Sequence, residues 1–151
     1  MAQTATPSTD VAPQVFRLRT PLLRQGRLDT VLAEAHGFQV RIKCYAAGGE
    51  NALHTHPDED HTFVVLAGRA RFWGPDGEIA TLERNQGILL PRGAFYRFES
   101  CADEPLVLLR VGARTGQAAI PRIGPDGRPL PGNSPENKTV PPVLIEGAYF
   151  E

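Results

Sequence analysis

The chain is poor in cysteine, has one tryptophan and one methionine, and carries no long apolar run. Its 151 residues hold two cysteines, Cys44 and Cys101. Two thiols so far apart make neither a disulfide framework nor a cysteine-built zinc site. Both read as small buried apolar side chains. An excess of charge is missing as well: 16 Lys and Arg stand against 17 Asp and Glu, a formal net charge of -1. That leaves no electrostatic case for nucleic acid or for an anionic membrane surface as partner. No apolar stretch reaches the ~20 residues that span a bilayer. The opening residues, MAQTATPSTDVAP, lack the apolar centre of a secretory signal. The expected compartment is therefore the cytoplasm. There is no internal repeat, no strand–helix–strand rhythm and no helix-turn-helix segment.

What is abundant is punctuation. Gly 15 and Pro 14 favour many turns and short strands over long helices. Hydrophobic residues make up 41% of the chain, enough for one domain with one core. Val40, Ile42 and Cys44 alternate with Arg41, Lys43 and Tyr45, the period of a half-buried strand. Further short strands are expected at 61–66, 69–73, 78–82, 87–90, 95–101 and 106–111, and Phe16–Arg24 reads as another strand or arm. Residues 27–35 fit a strand or a turn of helix. The whole predicts an all-β sandwich or barrel. Residues 1–14 are expected to be a disordered tail and 15–113 the barrel. Residues 114–151 form a Pro/Gly-rich extension whose apolar end, Val143–Phe150, is expected to pack on the barrel or on a partner subunit.

Three of the four histidines lie close together, in His54-Thr55-His56-Pro57-Asp58-Glu59-Asp60-His61. His54 and His56 share one face of an extended segment. His61 returns after a turn-rich insert, so three imidazoles can be aimed at one point. Imidazole is the commonest side-chain ligand of transition metals. A lone His-x-His pair can equally be a surface or core feature, but the trio predicts a metal site at His54, His56 and His61. His36 reads as a turn or surface residue, and Glu59 and Asp60 as solvated turn residues. Arg41, Lys43, Arg69, Arg71, Arg97 and Arg110 read as solvent-facing, with one or two available to bind a carboxylate inside. Phe63, Phe72, Phe95, Phe98 and Trp73 are core candidates first and pocket walls second.

The stretch from Gly48 to Gly68 resembles the first motif of the cupin family: Gly, five residues, His-x-His, an acidic position, and a closing Gly. Gly48, His54, His56 and Gly68 fall in register, and His61 stands at the acidic position. Pro91-Arg92-Gly93-Ala94-Phe95-Tyr96 resembles the second motif, with Tyr96 where the family's last metal histidine would be. The glycine that opens the second motif is Asn85 here. The likeness runs from about Phe38 to Ala113.

The resemblance implies an all-β fold: a single cupin jelly-roll β-barrel with a metal inside one end, usually a dimer. It implies a divalent transition metal, with Fe(II) the leading choice and Zn, Ni, Mn or Cu as alternatives. Three neutral imidazoles leave such a site near +2, suited to anionic or enolisable ligands. The expected function is a non-haem Fe(II) dioxygenase acting on a small organic molecule. The alternatives are a metal-dependent lyase or isomerase, or a non-catalytic small-molecule-binding module. Tyr96 is the candidate catalytic residue. It is read first as a hydrogen-bond donor or acid–base group beside the ligand, then as a core tyrosine, then as a phenolate ligand.

Overall fold

The described residues of the computed structural model are 11–116, 120–132, 134 and 140–151, and they hold ten strands and no helix. The first ten residues of the expected tail lie outside the described residues. The strands are β1 (Thr20–Gln25), β2 (Arg27–Ala35), β3 (Phe38–Tyr45), β4 (Glu59–Ala67), β5 (Ala70–Gly74), β6 (Gly77–Leu82), β7 (Gly87–Leu90), β8 (Arg97–Ser100), β9 (Leu106–Arg114) and β10 (Val143–Phe150). They pair as a five-stranded sheet β2-β3-β9-β4-β7, a three-stranded sheet β6-β5-β8 and a two-stranded sheet β1-β10. This is an all-β jelly-roll barrel. Residues 27–35, ambiguous in sequence, are strand because they zip onto β3 from Arg27↔Tyr45 to Ala35↔Phe38. The hairpin closes on His36 and Gly37, both at positive φ, as a tight two-residue turn requires. His36 is thus a turn residue.

The chain buries apolar surface in two places. Inside the barrel, Tyr45, Phe63, Val65, Phe72, Tyr96, Phe98, Leu106 and Leu108 pack together. On the other face of the large sheet, Ile42, Cys44 and Val107 are fully buried beneath Leu23 of β1 and Phe150 of β10. Both faces of β3 are therefore covered. The apolar half of its alternation faces β1 and β10, while Arg41, Lys43 and Tyr45 line the barrel's cavity. This corrects the expectation that Arg41, Lys43 and Arg110 face solvent. Arg69, Arg71 and Arg97 do lie away from the cavity, and Arg97 sits over the Trp73 ring at 4.8 Å.

Two motif positions owe their residue type to backbone geometry. Gly68 has φ +77°, and a Cβ there would stand 2.7 Å from the Pro105 carbonyl oxygen. Asn85 has φ +68°, and asparagine is among the few side chains that tolerate this left-handed region. It can therefore stand where the motif has glycine. Both cysteines are free thiols; Cys44 is buried and Cys101 only half-buried, so the reading as a buried side chain holds for Cys44 alone.

Candidate metal and anion site

His54, Thr55 and His56 lie in an extended segment between β3 and β4. A pair of backbone hydrogen bonds ties that segment to the second motif: Tyr96 N–H donates to His54 O at 2.9 Å, and His54 N–H donates to Tyr96 O at 3.1 Å. Thr55 makes the same reciprocal pair with Ile123 of the C-terminal extension, at 2.9 and 3.0 Å. His61 enters from β4, with Gly112 of β9 and Leu90 of β7 as its partners in register. The three rings are thereby gathered. Centroids of His54 and His56 are 5.2 Å apart, and those of His56 and His61 are 4.9 Å apart.

Tyr96 sits among them. It is buried, its ring centroid lies 4.6 Å from that of His54, and its hydroxyl is 2.9 Å from His61 Nε2. His54 Nδ1 donates to the Ala52 carbonyl at 2.7 Å, which leaves Nε2 as the bare nitrogen. His61 Nδ1 is buried and has no hydrogen-bond partner among the described residues; the nearest carboxylate oxygen, Glu59 Oε1, is 3.9 Å away.

Burial dominates the protonation of all three imidazoles. It pushes His54 down to about 4. Burial and the neighbouring His61 and His54 push His56 down to about 2. Burial and the Arg110 charge push His61 down to about 3. All three are neutral at physiological pH, the form that ligates a metal. Burial likewise raises the Tyr96 phenol well above its ordinary value, so the hydroxyl keeps its proton and is not a phenolate. Arg110, the largest of the opposing influences, does not outweigh that desolvation.

A cavity of about 320 Å³ opens beside this cluster. His54, His56 and Tyr96 are on its wall, with Phe63 and Phe98 as its apolar floor; His61 is not on the wall. Asn51 is also there, its Oδ1 accepting from Phe98 N–H at 2.8 Å. Glu59 lines the cavity and accepts a hydrogen bond from Arg110 Nη2. It is thus a residue of β4 inside the barrel, not a solvated turn residue. Asp60, the next residue of the same strand, lies on the outside and holds the Arg92 guanidinium at 2.7 Å; it too is a strand residue and not a turn residue. Opposite Arg110, Asp29 of β2 pairs with both Arg41 and Lys43 at 3.0 Å. Burial works against the Asp29 charge, but the two cations prevail and hold its carboxyl below the usual range.

Sequence reasoning missed Arg27, Tyr45, Asn51 and Arg122 on the wall. Arg122 was the hardest to see, because it arrives from the proline-rich extension between Pro121 and Ile123.

As donors, the histidines fit a divalent transition metal: neutral, clustered and partly desolvated. In this arrangement, however, no group of three His, Cys, Asp or Glu side chains among the described residues is disposed to hold an ion. His61 Nε2 is taken by the Tyr96 hydroxyl, so a metal held through that nitrogen requires the hydrogen bond to be given up.

Barrel and histidine cluster together define a small jelly-roll protein with its polar site inside one end. Residues 41–112 match the family model of the cupin domain. That stretch, just under half of the chain, is similar to the cupin domain, and it holds the histidine cluster and the barrel strands around it. It is 35% identical over 69 residues to the uncharacterized protein YdbB of Bacillus subtilis, covering 46% of this chain and 59% of that one. The chain thus spans about three-fifths of the length of this curated relative. Among solved structures it resembles the cupin domain of Cnp3 from Schizosaccharomyces pombe, with a TM-score of 0.55 and 18% identity over 61% of this chain and 67% of that one. It also resembles a cupin-2 domain protein from Shewanella frigidimarina, with a TM-score of 0.50 and 26% identity over 60% of this chain and 83% of that one. No helix among the described residues is long and apolar enough to cross a membrane.

Proposed function

We propose that the protein is a metal-dependent cupin, a non-haem Fe(II) dioxygenase acting on a small anionic or enolisable organic molecule. The observation that carries this reading is the gathering of three neutral imidazoles beside a cavity lined by Arg41, Lys43, Arg110 and Arg122. His54, His56 and His61 would hold the metal, with His54 offering Nε2 because Nδ1 is spent on Ala52. The metal would supply Lewis acidity and the electrons for dioxygen chemistry. The cationic wall orients the substrate's acidic group. Phe63 and Phe98 keep water from the floor of the cavity. Tyr96, protonated and aimed at the histidines, would hold a proton it can share with an oxygen of the bound substrate.

The test is oxygen uptake with a panel of small carboxylates and β-diketones, with and without added Fe(II). Uptake that needs both iron and substrate supports the reading, and turnover without oxygen would move the activity to the lyase or isomerase class. The hydrogen bond between His61 and Tyr96 favours a second reading, a cupin that binds its small anion without metal. A homodimer belongs to the same proposal: Val143, Leu144 and Tyr149 of β10 expose apolar surface that a second copy could cover.

A further inference from the structure

The wall of the cavity carries more positive charge than its own carboxylates neutralise. Arg27, Arg41, Lys43, Arg110 and Arg122 face Asp29 and Glu59, an excess of three positive charges. The histidines add none, being neutral. The pairing is uneven. Asp29 serves Arg41 and Lys43, and Glu59 serves Arg110. Among the described residues, Arg27 and Arg122 meet backbone carbonyls and no carboxylate: Arg27 donates to Gly132 O, and Arg122 Nε donates to Leu130 O at 2.7 Å. Arg122 Nη2 is shielded from solvent and has no hydrogen-bond partner among the described residues. A shielded guanidinium nitrogen without an acceptor is costly, and it indicates where an acceptor belongs.

The cations also stand on different walls. Arg41 and Arg110 are direct partners in the β3–β9 pair. Arg122 comes from the extension, in the segment Ile123 fastens to Thr55 between the two histidines. One compact anion would meet one wall, whereas two acidic groups on one short carbon skeleton meet both. At about 320 Å³ the cavity is at the small end of ligand pockets.

We propose that the cavity is selective for a short-chain dicarboxylate, one carboxylate held by the Arg41–Arg110 wall and the other by Arg122 of the C-terminal extension. The inference deepens the anionic-substrate reading above and rests on it for the site, but not on the metal. It makes the extension part of the binding site and Arg122 the residue that sets specificity.

The experiment is isothermal titration of the metal-free full chain with succinate, propionate and methyl phosphate. The wild type should bind succinate at least about tenfold more tightly than propionate, the gain expected of one charge-assisted contact. Arg122→Gln should cut that preference to about threefold or less while leaving propionate affinity within about twofold, and Arg122→Lys should restore part of it. Equal binding of succinate and propionate by the wild type overturns the proposal, even if Arg122→Gln does not fold. So does tighter binding of methyl phosphate than of succinate, which would mean one doubly charged group at one wall. A uniform loss for all three ligands in Arg122→Gln would make Arg122 structural and overturn its assigned role. Succinate selectivity without iron-dependent oxygen uptake would sink the dioxygenase reading and leave this one standing. Oxygen uptake on a monoacid, without that selectivity, would do the reverse.

Discussion

Tyr96 binds the two motifs together and occupies one of the two His61 nitrogens that a metal could use. Its backbone pairs with His54, and its hydroxyl holds His61 Nε2 at 2.9 Å. Tyr96→Phe should therefore act in two directions. It leaves both ring nitrogens of His61 without a partner, which should lower stability by about 1–3 kcal/mol, read from the urea midpoint of the metal-free protein. It also frees Nε2, so metal affinity should stay equal or rise. A folded Tyr96→Phe protein that loses its metal would make the phenol a ligand instead. The histidines set a second expectation. Each is held below its unfolded value of 6.5, so the unfolded chain takes up protons first as the pH falls. The neutral rings' contribution is fully present above pH 6.5 and is lost on acidification, through about 4 for His54 and lower still for the other two. Unfolding free energy of metal-free protein should fall between pH 6.5 and 4.5, with a shallower slope in His54→Gln.

The strand β3 shows what alternation tells and what it leaves open. Its period of two was plain in the sequence from Val40 to Tyr45, and the strand runs from Phe38 to Tyr45. Alternation says that the two faces differ. It does not say which face looks into a barrel when β1 and β10 lie across the other. The apolar face went under those strands, and the charged face became the cavity wall. The same limit hid Glu59, which composition grouped with a turn although the strand had already begun. Leu23 is the element-scale test, being buried at 1% exposure over Ile42 and Cys44. Leu23→Ala should cost about 2–5 kcal/mol of unfolding free energy. A cost below about 1 kcal/mol would mean that β1 covers the sheet only loosely. At the turn before β7, Asn85→Gly should be neutral or slightly stabilising, and Asn85→Val should cost more than about 1 kcal/mol, both read by thermal unfolding.

For the whole molecule, spacing carried the fold and most of the histidine cluster. Gly48, the two histidines and Gly68 keep their register because a strand, a turn and a strand must close around them. The acidic position filled by His61 and the last histidine replaced by Tyr96 were also legible, and the structure brings both to the same point. The distant half of the wall was not legible. Arg122 is remote in the chain, sits in a segment without periodicity, and is brought to the cavity by long-range ties of its neighbours, Ile123 to Thr55 and Ile120 to Asp58. No pattern confined to neighbouring residues reports such a contact.

The most direct measurement is metal content by mass spectrometry after Fe(II), Zn, Ni, Mn and Cu reconstitution, for wild type, His56→Ala, His61→Ala and Tyr96→Phe. The wild type should hold close to one ion per chain, most of it lost in either histidine variant and all of it kept in Tyr96→Phe. A folded wild type that takes up none of the five metals would contradict that expectation, and the neutral histidines would then belong to a metal-free anion-binding barrel.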